Sequence, residues 1–123
     1  MRSEADYRQL PRRDRYVWDV HWFEDEVMNG GIDQFLYNDT GDHAEETLEA
    51  LDAIGAKQSA KFLRNALNLF PNHRANMDQI ARRKQLAVIR RGQNLDDQVT
   101  GQIEVDLYQF LLDYWKKADP TAQ

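Results

Sequence analysis

The chain has 123 residues, 41% of them hydrophobic and 30% charged, with 21 acids against 16 lysines and arginines and no cysteine. That length supports one domain with its own core. The absence of cysteine excludes disulfides, thiolate catalysis and thiolate-bound zinc, and no apolar run approaches the ~20 residues that cross a bilayer. The net charge of -5 hides a segregation: residues 14–56 hold twelve acids and one base, and residues 57–92 hold nine bases and one acid.

Residues 1–12 show little periodicity and read as an N-terminal arm, residues 13–119 as one helical domain and residues 120–123 as a tail. Met1–Asp6 has no apolar stretch of the secretory type, so a cytoplasmic location is expected. From about Arg13, apolar residues recur at Tyr16, Val20, Phe23 and Val27, which is helical spacing. Asn29-Gly30-Gly31 should end that helix, with Gly30 as its cap and Gly31 allowing close backbone approach.

A short second stripe follows at Ile32, Phe35 and Leu36, closed by Asn38-Asp39-Thr40-Gly41. Asp42 then looks like the N-cap of a third helix, with Glu45 as its partner acid. That helix carries Ala44, Leu48, Leu51 and Ile54 on one face and stops at Gly55. Ser59, Leu63, Ala66, Leu67 and Phe70 mark a fourth helix, which Pro71 terminates. Asn76 reads as the cap of a fifth, with Met77, Ile80, Ala81, Lys84, Ala87 and Val88 inward. Residues 95–102 are ambiguous. A last helix from about Ile103 to Lys117 shows Tyr108, Leu111, Leu112 and Trp115. No alternating run bounded by turns predicts a strand. The expectation is an all-α, compact single-domain bundle of five to seven helices without significant sheet.

Catalytic patterns are weak. His21 and Glu24 lie one turn apart, but a second such pair is missing. Ser59 does not sit in a strand-to-helix nucleophile turn. Gly30-Gly31 follows a helix and lacks the Lys-Ser/Thr of a phosphate loop. Neither an enzyme nor a cofactor or metal site is expected. Arg82-Arg83-Lys84 and Arg90-Arg91 sit in an acidic protein, so they are expected to neutralise the acidic helices rather than bind nucleic acid directly.

With its apolar face inward, the third helix turns Asp42, Glu45, Glu46, Glu49 and Asp52 outward, with neighbouring carboxylates about 5–6 Å apart over a length of ~15 Å. Asp39 precedes this row, and Glu24, Asp25 and Glu26 form a second acidic cluster. Duplex DNA carries one negative charge per ~1.7 Å of axis, so rows of carboxylates approximate one edge of that pattern. This surface is the candidate contact for a basic protein.

The stretch Asn29-Gly30-Gly31-x-x-Gln34-Phe35-x-x-Asn38-x-x-Gly41 resembles the signature of a bacterial DNA-mimic protein family. As in that family, an acidic helix follows, then Glu49-Ala50-Leu51 and Ile54-Gly55-Ala56. The likeness runs on through Ala60, Leu63, Ala66 and Phe70-Pro71. It implies an all-helical, dimeric, non-enzymatic protein whose acidic surface occupies the DNA-binding face of a transcriptional regulator. Read from the residues themselves, the motif is a joint: Asn29, Gln34 and Asn38 should satisfy helix ends, and Phe35 should anchor the corner in the core. Two alternatives stay open. One is an immunity protein that neutralises a toxin or nuclease. The other is an enzyme or small-ligand binder that uses the Asn29–Asn38 corner.

Overall fold

The computed structural model describes residues 3–123. Among these residues the chain forms six α-helices linked by short 3-10 turns, and it has no strand. The first, α1 (Glu4–Gln9), falls within the stretch read as an arm. Ser3 Oγ accepts the Asp6 backbone N–H at 3.1 Å, capping it, and Tyr7 is buried. One cap and one aromatic anchor are enough to place this turn, although it has no apolar stripe to betray it.

The spine of the molecule is α2 (Arg12–Tyr37), which contacts α3, α5, α6 and two of the 3-10 turns. It is kinked: Gly30 (φ -150°, ψ 18°) and Gly31 (φ 80°, ψ -178°) leave helical geometry. Gly31 occupies a backbone region essentially closed to residues with a Cβ, and a Cβ there would also meet the Asp96 carboxylate. The residue that needs glycine's freedom is therefore Gly31, whereas the sequence reading gave the capping role to Gly30. Tyr16, Val20 and Phe23 are buried before the kink, and Ile32, Phe35 and Leu36 after it. Phe23 and Phe35 meet edge to face with ring centroids 5.0 Å apart, which pins the two arms together.

A 3-10 turn at Asp39–His43 runs directly into α3 (Ala44–Ala53). The residue preceding α3 is His43, with no side-chain cap, so Asp42 is not the N-cap that the sequence suggested. The continuous turn occupies the place of a capping residue, and the Asp42 carboxylate goes to an arginine instead. Next, α4 (Lys57–Leu67) buries Ser59, Ala60, Phe62, Leu63, Ala66 and Leu67. Each large apolar side chain buried this way contributes about 1.5–3 kcal/mol. The start of α4 is capped from across the fold: Glu104 accepts the Gln58 and Ser59 backbone N–H groups at 2.8 and 3.0 Å and the Ser59 hydroxyl at 2.5 Å.

After a 3-10 turn at Pro71–His73 comes α5 (Gln79–Arg90), capped by Asp78 rather than Asn76. Its register is opposite to the sequence reading. Met77, Ile80 and Val88 are exposed, whereas Arg82 and Leu86 are buried. The buried face is built on an arginine whose hydrogen bonds are met inside the protein, and hydrophobic periodicity cannot detect such a face. The chain then passes a 3-10 turn at Leu95–Asp97 and ends in α6 (Leu107–Lys117). That helix starts later than expected and is rotated: it buries Leu107 and Leu111, and leaves Tyr108 and Trp115 at the surface.

Candidate partner-binding surface

The acidic face is positioned by the corner that follows the α2 kink. Arg82 is 0% exposed and clamps that corner. Its Nε donates to the Leu36 carbonyl at 2.6 Å, and its terminal nitrogens donate to the carbonyls of Asn38 (2.7 Å), Asn76 (2.9 Å) and Met77 (3.1 Å). Two of these acceptors lie at the C-terminal end of α2, where carbonyls lack helical partners. Asp42 lies 2.9 Å from the same guanidinium. Burial lowers the Arg82 pKa from its ordinary value, and Asp42 opposes that shift. Gly41 makes room: a Cβ there would sit 2.6 Å from Arg82 Nε and 2.7 Å from the Leu36 oxygen.

Two further acids hold the corner from within. Asp33 is buried, receives Arg90 through two hydrogen bonds and accepts the Leu95 N–H at 2.8 Å. Asp96 accepts the Ile32 and Asp33 N–H groups at 2.8 and 3.1 Å. It thereby caps the second arm of α2 from more than sixty residues away in sequence. Sequence spacing gave no sign of Arg82, Asp33 or Asp96 in these roles, because each partnership is long-range.

The amides of the motif do different work from that expected. Gln34 Nε2 donates to Glu26, and Asn38 Nδ2 approaches the same carboxylate at 3.3–3.4 Å. They tie the two arms of α2 together through Glu26 instead of satisfying helix ends. Asn29 is exposed, and Phe35 lies in the core. Glu26 is therefore occupied internally, whereas Glu24 and Asp25 have no side-chain hydrogen bond or ion pair among the described residues.

Glu46 is likewise occupied. Tyr7 Oη donates to Asp19 at 2.6 Å and to Glu46 at 2.8 Å, and Arg8 grips both Glu46 oxygens at 2.8 and 2.9 Å. One hydroxyl carries one proton for two acceptors, so the arrangement is best satisfied when Asp19 retains a proton. Burial pushes the Asp19 carboxyl up to about 7, against the Tyr7 hydrogen bond. Burial, followed by the two carboxylates, also drives the Tyr7 hydroxyl well above the usual tyrosine range. Glu46 moves the other way: burial raises it, but hydrogen bonds from Arg8 and Tyr7 outweigh that and hold it below the usual carboxylate range.

What faces solvent on α3 is Glu45, Glu49 and Asp52. Steps of four and three residues put them on one side of the helix, spread over about 10 Å. Arg74 lies 3.0 Å from Glu45 and Arg64 lies 2.9 Å from Asp52, with all four side chains between 47 and 73% exposed. Glu49 accepts the Tyr16 hydroxyl at 2.9 Å, and burial together with that carboxylate pushes the Tyr16 hydroxyl up to about 12. Asp39 is exposed, and its carboxylate is unpartnered among the described residues. Cations of the basic stretch thus do meet the acidic helix within one chain, through Arg64 and Arg74, and Arg82 meets Asp42 in the turn before it. Exposed pairs of this kind contribute only about 0–1 kcal/mol, so they screen the acidic face without locking it.

Among the described residues, no group of three potential ligands is placed to hold a metal ion, and no helix is long and apolar enough to cross a membrane. No curated protein and no solved structure matches the chain. A family profile, described as DMP19-like protein, matches residues 8–118. That span includes the kinked spine, the arginine-clamped corner and the acidic α3 face, and the chain belongs to the DMP19-like protein family.

Proposed function

We propose that the protein is a non-catalytic binding protein whose acidic face occupies the basic DNA-binding surface of another protein, in the manner of a DNA mimic. One observation carries this reading: Glu45, Glu49 and Asp52 form an exposed carboxylate row on a rigidly held helix, in a chain of a DNA-mimic family. The contact set consists of these three with Asp39 beside them. Asp25 and Glu24 form a second, separate acidic cluster on α2. Asp42, Glu46 and Glu26 drop out of direct contact, because each is partly buried as well as engaged, Asp42 by the buried Arg82, Glu46 by Tyr7 and Arg8, and Glu26 by Gln34. The partner is a basic protein such as a transcription regulator. A homodimer acting in the cytoplasm belongs to the same proposal.

Electrostatic complementarity predicts fast, salt-sensitive association. The screening length shrinks from ~10 Å at 0.1 M salt to ~3 Å at 1 M, so binding should collapse over that range. The test uses immobilised protein and lysate of its native host, with elution by duplex DNA. A retained DNA-binding protein that duplex DNA releases, and that Glu45→Lys/Glu49→Lys fails to retain, supports the mimic. A retained protein that ignores both the charge reversal and the DNA competitor overturns it.

A further inference from the structure

The outer face of α5 is apolar and basic. Ile80, Lys84, Ala87 and Val88 are all exposed, and their steps of four, three and one residues put them on one side of the helix. Ile80 and Val88 are 67 and 72% exposed. One apolar residue in water needs no explanation, but several on a single helix face mark an interaction site. Beside this stripe a groove of about 740 Å³ runs between α5 and the end of α4. Leu69, Pro71, Val88 and Ile89 give it apolar walls, and Lys84 and Arg91 line it as well. Among the described residues no acid does so.

The cations of α5 divide in the same way. Arg82 is engaged by four carbonyls, Arg90 by Asp33, and Arg83 by the carbonyl and the ring of Tyr37. Lys84 and Arg91 are exposed, and their side chains have no hydrogen bond or ion pair among the described residues. The two uncommitted charges are therefore the two that border the apolar groove.

We propose that this face docks an amphipathic helix of another protein, one whose apolar stripe is bordered by carboxylates two turns apart. Lys84 and Arg91 are seven residues apart, about 10 Å along a helix axis, and acids at that interval on the partner match them. Its apolar side chains cover Ile80, Ala87 and Val88 and enter the groove beside Leu69, as an amphipathic helix does in an apolar groove. Other occupants fit less well. A second copy presenting the same face sets Lys84 and Arg91 against their own counterparts, and like charges across an interface are costly. A second copy presenting α3 brings carboxylates but no large exposed apolar residue. Nucleic acid leaves the apolar stripe uncovered, and a chain of net charge -5 repels both it and an anionic membrane. The face shares no residue with the α3 row and stands apart from the proposed mimicry.

The test titrates the full chain with a helical peptide that carries leucines along one face and glutamates two turns apart beside them. The Ile80 and Val88 methyl resonances report where it binds, and the anisotropy of labelled peptide reports affinity. The expected result is a saturable shift of both methyls. Affinity should fall at least about tenfold when the glutamates are replaced by glutamine, and in Lys84→Glu/Arg91→Glu. Both side chains of that variant are free in solvent, so its urea unfolding should match wild type. Ile80→Ser/Val88→Ser should also weaken binding, because charge attraction alone does not need those methyls. Absence of a saturable shift, or unchanged affinity with the glutamine peptide or in either double variant, overturns the proposal. So do methyl shifts that grow with protein concentration alone, which mark a second copy, and stronger shifts with duplex DNA or phosphatidylglycerol vesicles than with the peptide.

Discussion

Two sets of acid–base contacts join the acidic and basic halves of this chain, and they differ in burial. At the corner, Arg82 and Asp33 are almost wholly withdrawn from water and bonded on several sides. On α3, Arg74–Glu45 and Arg64–Asp52 stand in solvent with about half or more of each side chain exposed. The chemistry of the groups is the same, but the consequences are not. A buried charge must be satisfied completely or it destabilises the fold. An exposed pair exchanges one solvated state for another at little net gain. The corner is therefore architecture, and the α3 pairs are a screen that a stronger partner can displace.

The largest expected effect comes from breaking the corner. Arg82→Met removes the clamp on four carbonyls and leaves Asp42 without its cation, and should cost about 3–5 kcal/mol in urea unfolding. Arg82→Lys should recover only part of this, because a point charge cannot reach carbonyls in divergent directions as the planar guanidinium does. A loss below about 1 kcal/mol for Arg82→Met would show that the corner is held elsewhere.

The kink gives the next largest effect. Gly31→Ala forces a side chain into the positive-φ conformation and against Asp96, and should cost about 1–3 kcal/mol. Gly30→Ala should cost less: its φ of -150° avoids the positive-φ strain of Gly31, and its new contacts are confined to the Gln34 side chain, whose bond to Glu26 it would disturb. Equal or reversed losses in thermal unfolding would mean that backbone strain does not set the requirement for glycine.

These two positions also show what the sequence could convey. The stripes of α2, α3 and α4 were legible, because apolar residues at helical spacing became the buried ones at Val20, Phe23, Leu51 and Leu63. The faces of α5 and α6 were not. On α5 the inward residue is Arg82, which the apolar pattern counts as solvent-facing; on α6, the stripe Tyr108, Leu111, Leu112 and Trp115 is right at Leu111 but misses Leu107 and includes two aromatics that stay at the surface. The glycine corner was visible as a joint, but Asp96 and Arg82, which secure it, act across gaps that no local pattern spans. The acids of the candidate surface could be named from the sequence. Which of them remain open to a partner depended on Tyr7, Arg8 and Arg82, and that needed the fold.

A smaller effect should appear as a pH slope. The Asp19 carboxyl rises from its ordinary 3.8 to about 7 in the folded protein. Its surroundings combine Tyr7, Glu46 and His43 with the more distant charges of Arg8 and Arg15. A raised acid binds its proton more tightly when folded, so its contribution is complete below the unfolded pKa and fades as pH rises through the folded one. Stability should decline from about pH 4 to about pH 7 and then level off. Asp19→Asn can still donate a hydrogen bond to the Tyr7 oxygen, as the protonated carboxyl does, but does not titrate, so it should remove about 1 kcal/mol of the decline between pH 6 and pH 8. Parallel pH curves for wild type and variant in urea unfolding would place the titration on another group.

The smallest expected change in stability belongs to the α3 pairs, and it sharpens the contrast with the corner most. Arg64→Ala and Arg74→Ala should each shift stability by less than about 1 kcal/mol. Both, however, remove a cation that lies within 3.0 Å of a carboxylate in the proposed contact row. If these pairs are a displaceable screen, the two variants should bind a basic partner more tightly than wild type, with a steeper salt dependence, because more uncompensated negative charge faces it. Weaker binding would mean instead that the pairs hold Glu45 and Asp52 in the geometry the partner reads. The screen would then be part of the site, and the division between architecture and surface would fall inside α3 rather than at its edge.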